Sequence, residues 1–494
     1  MGQDESEREG DMDVKKTSQS AKIRARLGHP VIDSDGHSIE SIPVFLDYLK
    51  AVGGSGLVEN FRTVFYDTII DPRWASFSNE ERRYRRGMKP VWWANAANTR
   101  DLATAVLPKL MHERLGELGL DFSVVYPTIG LATIAIEDAE MRQACARALN
   151  TMKADLFGEF ADRLTPAATI PMHTPAEAIA ELEFAVKLGL KTAMVASYVR
   201  RPIPRVAREF PEAARYSYWM DTFGLDSEYD YDPFWAKCVE LKISPTFHSV
   251  GYGWGSRRSI SNYIYNHIGN FAASAEAVCK SLFMGGVPVR FPKLRFGFLE
   301  GGAGWARLLY CELISHWEKR NGKAVQNYNP ANIDRAAMAD LIRRYGAKSM
   351  AANAERIAES IDSIVANTDP SQIDEWVQSG ICSAEDIRDI FTERFYFGCE
   401  GDDPLTMMAF RPMGTRFDSR LRAFYGSDIG HWDVPDMRMI LDEAYELVEH
   451  GLMTPEELRD FVFATPVQFW TSTNPDFFKG TAVEAEVNRV AKAA

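Results

Sequence analysis

Eight apolar runs of strand length, most of them followed by a helical pattern, predict a (β/α)8 barrel with large insertions in the βα loops. Polar residues stand at the ends of the first, fifth, sixth and eighth runs. A ring of parallel strands gathers such residues at one mouth of a barrel. This favours the barrel over the alternative arrangement, a doubly wound open sheet.

The predicted strands are spread over most of the chain and alternate with predicted helices. One helix begins with a clear signal, because Thr174 suits the N-cap, Pro175 suits the first turn and Glu177 would complete a capping box. The strand runs cover residues 31–37, 122–128, 167–172, 192–197, 243–250, 294–300, 394–399 and 423–428.

These runs define one predicted barrel domain at residues 29–480. Residues 1–28 are polar and are expected to form a disordered tail, and residues 481–494 form a C-terminal tail. Insertions into the barrel are predicted near residues 51–115, 198–232 and 321–393.

The composition of the 494-residue chain excludes several classes of partner. Its net charge of −13 argues against nucleic acid or an anionic membrane surface, both of which favour a basic face. No apolar run is long enough to span a membrane, and a cytoplasmic protein acting on a small molecule is expected. The six cysteines are scattered, as in a reduced protein without a zinc–thiolate site. Size and aromatic insertions favour a homodimer or higher oligomer.

The most informative run is the first one, where Asp33, Asp35 and His37 alternate with other residues. Side chains two positions apart on a strand share a face, so these three are expected to project together. Carboxylates and an imidazole at the end of a buried strand make half of a metal site. Asp33 is expected to orient His37 or another barrel residue.

The other half of the site is predicted at the ends of later strands, at His248, Glu300 and Asp428. Each has a structural alternative: a hydrogen-bonded core histidine, a glutamate paired with arginine, and a helix-capping aspartate. Taken together, these residues favour a site for one or two divalent ions, which would be either zinc or iron and manganese. The predicted metal ligands are Asp35, His37, His248, Glu300 and Asp428, of which His248, Glu300 and Asp428 are also predicted to be catalytic.

Other candidate residues have weaker signals. The role of His431 is left open, and it could be a metal ligand, a substrate contact or a packing residue. Asp433 is expected to be structural. The aromatic loop at residues 216–235 is expected to form either a lid or an oligomer contact. The histidines with expected structural roles are His112, His173, His267, His316 and His450.

The strand-end motifs, taken in their order along the chain, resemble those of the amidohydrolase superfamily. They are most similar to the branch that includes the aminocarboxymuconate-semialdehyde decarboxylase family. The resemblance covers residues 31–480. The similar segments are Asp33-Ser34-Asp35-Gly36-His37, residues 291–294 running into Glu300-Gly301-Gly302, Gly426-Ser427-Asp428 and residues 474–478.

Two departures from the family pattern make this site rich in carboxylates. Asp35 stands where the family's Asp-x-His-x-His motif has its first histidine, and Glu300 stands where the sixth strand often has another. A lysine that could be carbamylated to bridge two metals is not found on the fourth strand, because Lys191 precedes it.

The resemblance implies a metal-dependent hydrolase, in which metal-bound water attacks the carbonyl of an amide, a lactone or a similar small organic acid derivative. Asp428 would accept the water proton and deliver it to the leaving group. One alternative is a metal-dependent non-oxidative decarboxylase. Another is a non-haem dinuclear iron or iron–manganese monooxygenase, which carboxylate ligands would suit and which would need an external reductase. A vestigial site in a partner subunit is the non-catalytic alternative.

Overall fold

The computed structural model describes residues 17–66, 72–91, 98–248, 254–363, 372–412 and 416–493. The strands in these ranges are β1 (Ile32–Ser38), β2 (Phe122–Pro127), β3 (Leu164–Pro166), β4 (Ala168–Ile170), β5 (Ala193–Val195), β6 (Val199–Pro202), β7 (Tyr218–Asp221), β8 (Pro245–Phe247), β9 (Phe296–Phe298), β10 (Phe395–Glu400) and β11 (Arg422–Gly426).

All strands except β6 and β7 belong to one parallel barrel. Neighbouring strands are hydrogen-bonded in the order β1-β2-β3 in one part of the barrel and β11-β10-β9-β8-β5-β4 in the other. β3 and β4 are two halves of one strand, since only Ala167 separates them and its amide donates to Val125 of β2. The ring closes between β1 and β11, where the Asp428 amide donates to the Asp35 carbonyl at 2.9 Å. The predicted (β/α)8 barrel is confirmed.

Helices surround the barrel and fill the long connections. None in the described ranges is long and apolar enough to cross a membrane. The described α-helices are Gln19–Arg26, Ile42–Tyr66, Asn79–Arg85, Thr99–Val106, Pro108–Leu118, Thr128–Thr133, Ala139–Phe157, Pro175–Lys187, Pro204–Glu209, Asp232–Leu241, Tyr263–His267, Asn270–Met284, Val287–Arg290, Gly304–Arg320, Arg335–Tyr345, Lys348–Ala351, Ala354–Ser360, Ala384–Glu393, Met407–Phe410, Ile440–Glu449, Pro455–Arg459, Thr465–Thr473 and Glu484–Ala493.

The helix at Pro175–Lys187 has only half of its predicted capping box. The Thr174 hydroxyl accepts a hydrogen bond from the Glu177 amide, as the sequence predicts. The Glu177 carboxylate instead binds Arg142 at 2.7 Å, and both side chains are buried. A buried guanidinium is costly without a charged partner, whereas the N-cap amide carries no charge. Glu177 therefore pairs with Arg142 and does not complete the capping box.

Both predicted tails contain helix. Gln19–Arg26 lies inside the predicted N-terminal tail, where Arg24 forms an ion pair with Asp121 and buried Ser20 accepts a hydrogen bond from the Leu441 amide. Glu484–Ala493 lies inside the predicted C-terminal tail. Residues 1–16 lie outside the described part of the chain.

The predicted insertion at residues 198–232 begins with an antiparallel hairpin of β6 and β7. Arg201 anchors it, donating to Asp221 at 3.0 Å and to the Tyr231 hydroxyl at 2.9 Å. In the aromatic loop, Phe223 and Tyr231 are buried, whereas Tyr216 is 71% exposed. The loop is thus pinned to the barrel by part of its aromatic residues. Its function as a lid or an oligomer contact stays a prediction.

A buried ion pair joins the loop after β1 to the helix Ala139–Phe157. Lys153 Nζ lies 2.7 Å from Glu40 Oε1, and the side chains are 3% and 0% exposed. The other Glu40 oxygen accepts a hydrogen bond from the Ile129 amide at 2.7 Å. Glu40 thus links three segments beside the mouth of the barrel.

We predict that Lys153→Met lowers the free energy of unfolding by about 3–5 kcal/mol, because Glu40 would remain buried without its cation. Chemical denaturation monitored by circular dichroism measures the change. The matched control is Lys280→Met, which removes the exposed pair with Glu276 and should cost less than about 1 kcal/mol. Equal losses in the two variants would contradict the assignment.

Candidate metal centre

The five predicted site residues converge at the mouth of the barrel. His37 Nε2 lies 3.5 Å from Asp35 Oδ1, 3.3 Å from Asp428 Oδ1 and 3.1 Å from His248 Nε2. Glu300 Oε2 lies 3.2 Å from His248 Nε2. All five side chains are at most 4% exposed. The structure therefore brings together every residue that the sequence predicts as a metal ligand.

Local backbone geometry aims these side chains into the mouth. Glu300 and Asp428 lie two residues past the ends of β9 and β11 and have left-handed φ angles of 55° and 50°. This conformation is uncommon for residues other than glycine and costs about 1–3 kcal/mol, a cost typical of functional sites. Hydrogen bonding holds Asp428 in place, since its amide donates to the Asp35 carbonyl.

Asp33 does not share the site with Asp35 and His37. The register of β1 against β2 shifts between Asp33 and Gly36, so one extra residue interrupts the alternation of faces. Asp33 instead accepts hydrogen bonds from Ser123, from the amide and hydroxyl of Ser427, and from the Asp35 amide, over 2.6–3.2 Å. It fixes the ends of β1 and β11, which carry the metal-ligand candidates, and this agrees with its predicted positioning role.

Several buried oxygens of the site accept no hydrogen bond. These atoms are Asp35 Oδ1, Glu300 Oε2 and both carboxylate oxygens of Asp428. Among the described residues, no lysine or arginine forms an ion pair with these carboxylates, and their charged contacts are to His37, His248 and His431. Buried carboxylates without donors are costly unless a cation offsets their charge.

Burial also sets the protonation of the site. It raises the pKa of Asp35, Glu300 and Asp428 well above the ordinary carboxyl value, and neighbouring carboxylates raise each further. Burial lowers the pKa of His248 to about 3 and that of His431 to about 4. Neutral imidazoles keep a lone pair for a metal. The mixture of neutral imidazole and carboxylate donors fits a divalent ion of the zinc, iron or manganese type.

His431 lies in the same cluster of side chains. Its Nδ1 atom lies 2.7 Å from Asp428 Oδ1, and its ring stacks on His37 with centroids 3.7 Å apart. One ligand atom from each of His37, Glu300, Asp428 and His431 lies within 4.8 Å of the others. Its Nε2 lies 3.3 Å from the Thr128 hydroxyl. His431 therefore lies at the mouth of the barrel with the predicted ligands, and its role there stays a prediction.

A second group surrounds Glu300 and includes residues that sequence reasoning missed. Glu400 is the last residue of β10, but the predicted seventh strand stopped one residue earlier, at Cys399. Asp433 and His267 were expected to be structural, yet each has a ligand atom within 4.8 Å of one on Glu300. The signal for Glu400 was its position at a strand end, the same signal that identified Glu300.

Two other histidines have ordinary partners. His112 Nε2 lies 3.0 Å from Asp162, and His316 Nδ1 lies 2.8 Å from the Glu312 carbonyl. Burial, reinforced by Arg142 and Arg201, lowers the pKa of His173 to about 2. These three residues lie outside the clusters at the mouth.

The fold is that of the amidohydrolase superfamily. The family model described as "Amidohydrolase" matches residues 103–357, just over half of the chain, so the chain belongs to this family and is an enzyme of the amidohydrolase superfamily. The resemblance found in the sequence is confirmed. The family model ends before Asp428, and the ligand roles of the individual residues stay predictions.

Three solved structures are similar to this chain at low identity. An amidohydrolase from Mycobacterium avium subsp. paratuberculosis K-10 is 17% identical with a TM-score of 0.51, covering 90% of this chain and 100% of that chain. A dihydroxybenzoic acid decarboxylase from Polaromonas sp. JS666, with bound manganese, is 14% identical with a TM-score of 0.48, covering 91% and 99%. A 5-carboxyvanillate decarboxylase from Novosphingobium aromaticivorans DSM 12444 is 12% identical with a TM-score of 0.48, covering 90% and 96%. No curated protein sequence matches this chain.

We predict that Asp33→Asn weakens metal binding by about 10–100-fold, because an amide cannot accept all four hydrogen bonds that place β1 and β11. Titration of metal-free protein with Zn²⁺, followed by calorimetry, measures the affinity. Asp162→Asn, a change at the exposed contact with His112, serves as the control and should bind as wild type does. An unchanged affinity in Asp33→Asn would show that Asp33 does not support the site.

Proposed function

We propose that this protein is a metal-dependent hydrolase acting on the carbonyl group of a small molecule. The observation that carries the proposal is the Asp428 carboxylate, which is buried and whose Oδ1 atom lies 3.3 Å from His37 Nε2 and 2.7 Å from His431 Nδ1. Asp35, His37, His248 and Asp428, with Glu300 beside them, would hold a divalent ion. When bound, such an ion supplies polarisation of a carbonyl and lowers the pKa of water toward neutrality.

Asp428 is placed to move the proton in this reaction. Its unbonded oxygens can accept a proton from the attacking water and return it to the leaving group. The pKa of Asp428 is raised by burial and by Glu300, so the carboxyl holds a proton more readily than an exposed aspartate does. A bound divalent ion would counter this shift in pKa and keep the carboxylate ionised, as a group that accepts the water proton must be.

His431 connects Asp428 with the outer part of the mouth. Its side chain is 13% exposed, whereas that of His37, on which it stacks, is 0% exposed. The Thr128 hydroxyl lies near its Nε2 atom and can orient the ring. We therefore assign His431 to positioning Asp428 and to carrying its proton toward solvent.

The charge of the mouth supports a neutral reacting group in the substrate. Glu300, Glu400 and Asp433 line a cavity of about 220 Å³ together with His267. Carboxylates on this wall would repel a substrate carboxylate that approaches without a compensating cation, whereas an amide or ester carbonyl carries no such charge. Decarboxylation, which begins from a carboxylate, would therefore depend on the bound divalent ion to offset this charge.

Oxygenation is a second candidate, and the number of carboxylates favours it. Iron and manganese accept carboxylate-rich ligand sets more readily than softer ions do. The reaction would require dioxygen and an external reductase as source of electrons. Oxygen uptake that depends on a reductant would separate this activity from hydrolysis, which consumes no oxygen.

We predict that Asp428→Asn lowers kcat/KM for hydrolysis by about 10²–10⁴-fold, because the amide cannot accept a proton from water. The assay uses enzyme loaded separately with zinc, manganese or iron on a panel of amides and lactones, and records product acid, carbon dioxide and oxygen uptake. His248→Ala should lose both the metal and the activity, whereas Asp436→Asn, at an exposed N-cap, should retain them.

Full hydrolytic activity in Asp428→Asn, with native circular dichroism, would remove the assigned proton-transfer role. Carbon dioxide release without oxygen uptake would replace hydrolysis by decarboxylation. Activity that needs both oxygen and a reductant would replace it by oxygenation.

A further inference from the structure

We propose that the lower end of the barrel, where its strands begin, carries a binding site for free phosphate. The site is formed by the guanidinium groups of Arg295, Arg394 and Arg422 and by the hydroxyl group of Tyr396. It lies at the start of β9, β10 and β11, whereas the metal-ligand candidates lie at the opposite end of the barrel. The proposal therefore does not depend on the proposed hydrolase activity.

The three arginines stand at the beginning of three neighbouring strands. Arg295 directly precedes β9, Arg394 directly precedes β10, and Arg422 is the first residue of β11. The Phe296 amide donates to the Arg394 carbonyl at 2.9 Å, and Arg422 lies opposite Tyr396 in the parallel ladder. Side chains at matching positions of neighbouring strands share a face, so the three arginines and Tyr396 project to the same side of the sheet.

That side is the interior of the barrel. Phe395, which alternates with these residues on β10, contacts Phe391 of a surrounding helix, with ring centroids 5.2 Å apart. Tyr396 instead contacts Phe469 of the helix Thr465–Thr473, with ring centroids 5.0 Å apart. Its side chain therefore points away from the surrounding helices and into the barrel.

Two of the guanidinium groups lie close together. Arg295 Nη1 donates to the Pro292 carbonyl at 3.1 Å, and Arg394 Nη1 donates to the same carbonyl. Burial lowers the pKa of the Arg394 guanidinium, and the charge of Arg295 lowers it further. The Nε atoms of both arginines are buried and donate to no acceptor. Two like charges side by side, each with an unused donor, favour an anion between them.

No carboxylate neutralises these charges. Within the described ranges, none of the three arginines of the site forms an ion pair. Acidic side chains in this part of the structure pair with other arginines over 2.7–3.8 Å, namely Asp389 with Arg388, Glu457 with Arg420, and Asp460 with Arg459. The counter-charge for the cluster must therefore come from solvent or from a bound anion.

Tyr396 adds a neutral donor to the cluster. Its side chain is 0% exposed, and its hydroxyl group has no hydrogen-bond partner among the described residues. Burial raises the pKa of this hydroxyl, while the charges of Arg422 and Arg295 act in the opposite direction, as expected for guanidinium groups near the ring. The hydroxyl stays protonated, and a buried donor without an acceptor is costly. An anion held by the arginines would accept its hydrogen bond.

The number and kind of donors fit phosphate better than a carboxylate. Three guanidinium groups carry three positive charges, and each can bind two oxygens of a phosphate group side by side. A carboxylate has one charge and two oxygens, so it would leave part of the cluster unpaired. All three arginines are half-buried, and Arg422 is fixed by a hydrogen bond from its Nε atom to the Thr392 carbonyl at 2.9 Å. This favours a small free anion.

The test is a calorimetric titration with inorganic phosphate at constant ionic strength, set with sodium chloride so that general screening is the same throughout. Wild type and His248→Ala should each bind about one phosphate per chain at the lower end. His248→Ala is expected to lack the metal, so phosphate that it binds is not held by a metal ion. If His248→Ala does not fold, chelator-treated wild type takes its place.

Arg394→Gln should weaken phosphate binding by about 10–100-fold, because charge-assisted hydrogen bonds are lost. Tyr396→Phe, which removes only the hydroxyl group, should weaken it by about 5–10-fold. The matched control is Arg420→Gln, which removes the same charge two residues before Arg422 from a side chain that is 59% exposed and paired with Glu457. This variant should bind phosphate as wild type does.

Thermal unfolding verifies that each variant folds, and phosphate should raise the unfolding temperature of wild type but not that of Arg394→Gln. If Arg394→Gln does not fold, Arg295→Gln takes its place with the same expected loss. Unchanged phosphate affinity in the folded arginine variant would overturn the site, as would equal weakening in Arg420→Gln or equal affinity for acetate. Phosphate binding that is lost in His248→Ala and kept in Arg394→Gln would place the anion on the metal. Each of these results leaves the proposed hydrolase intact.

Discussion

The structure depends on the closure of the barrel between its first and last strands. Backbone hydrogen bonds from Asp428 to Asp35 and from His37 to Ile429 join segments that lie almost 400 residues apart in the chain. Asp33 reinforces the closure, because its carboxylate accepts hydrogen bonds from both the amide and the hydroxyl of Ser427. Because Asp35, His37 and Asp428 lie on this seam, the step that completes the fold also completes half of the site.

Closure has an electrostatic cost that the site must offset. It buries carboxylates in a mouth where the described contacts are to histidine and not to lysine or arginine. Burial and mutual repulsion raise the pKa of these carboxyls, and burial keeps the histidines neutral. Unbonded oxygens and imidazole lone pairs therefore face a common space, which is the state of a site prepared for cations.

Packing away from the mouth keeps this arrangement in place. The Lys153–Glu40 pair supports the loop after β1, and Arg201 holds the β6–β7 hairpin against the barrel through Asp221 and Tyr231. Both anchors are buried and hydrogen-bonded, so they limit the movement of the segments around the mouth. Glu300 and Asp428 can therefore keep their left-handed backbone conformation, because the anchored segments around them offset its strain.

The sequence alone determined the eight strand positions and the five residues predicted as metal ligands, because apolar strand runs and the polar residues at their ends are local patterns. Only the tertiary structure decided which further groups join them. A bulge in β1 turns Asp33 away from Asp35, and the length of β10 brings Glu400 to the mouth. His267, His431 and Asp433 reach it from loops and a short helix, where direction depends on packing between distant segments and not on a repeating pattern. The predicted tails contain helices for the same reason, since contacts such as that of Arg24 with Asp121 form only once the barrel is complete.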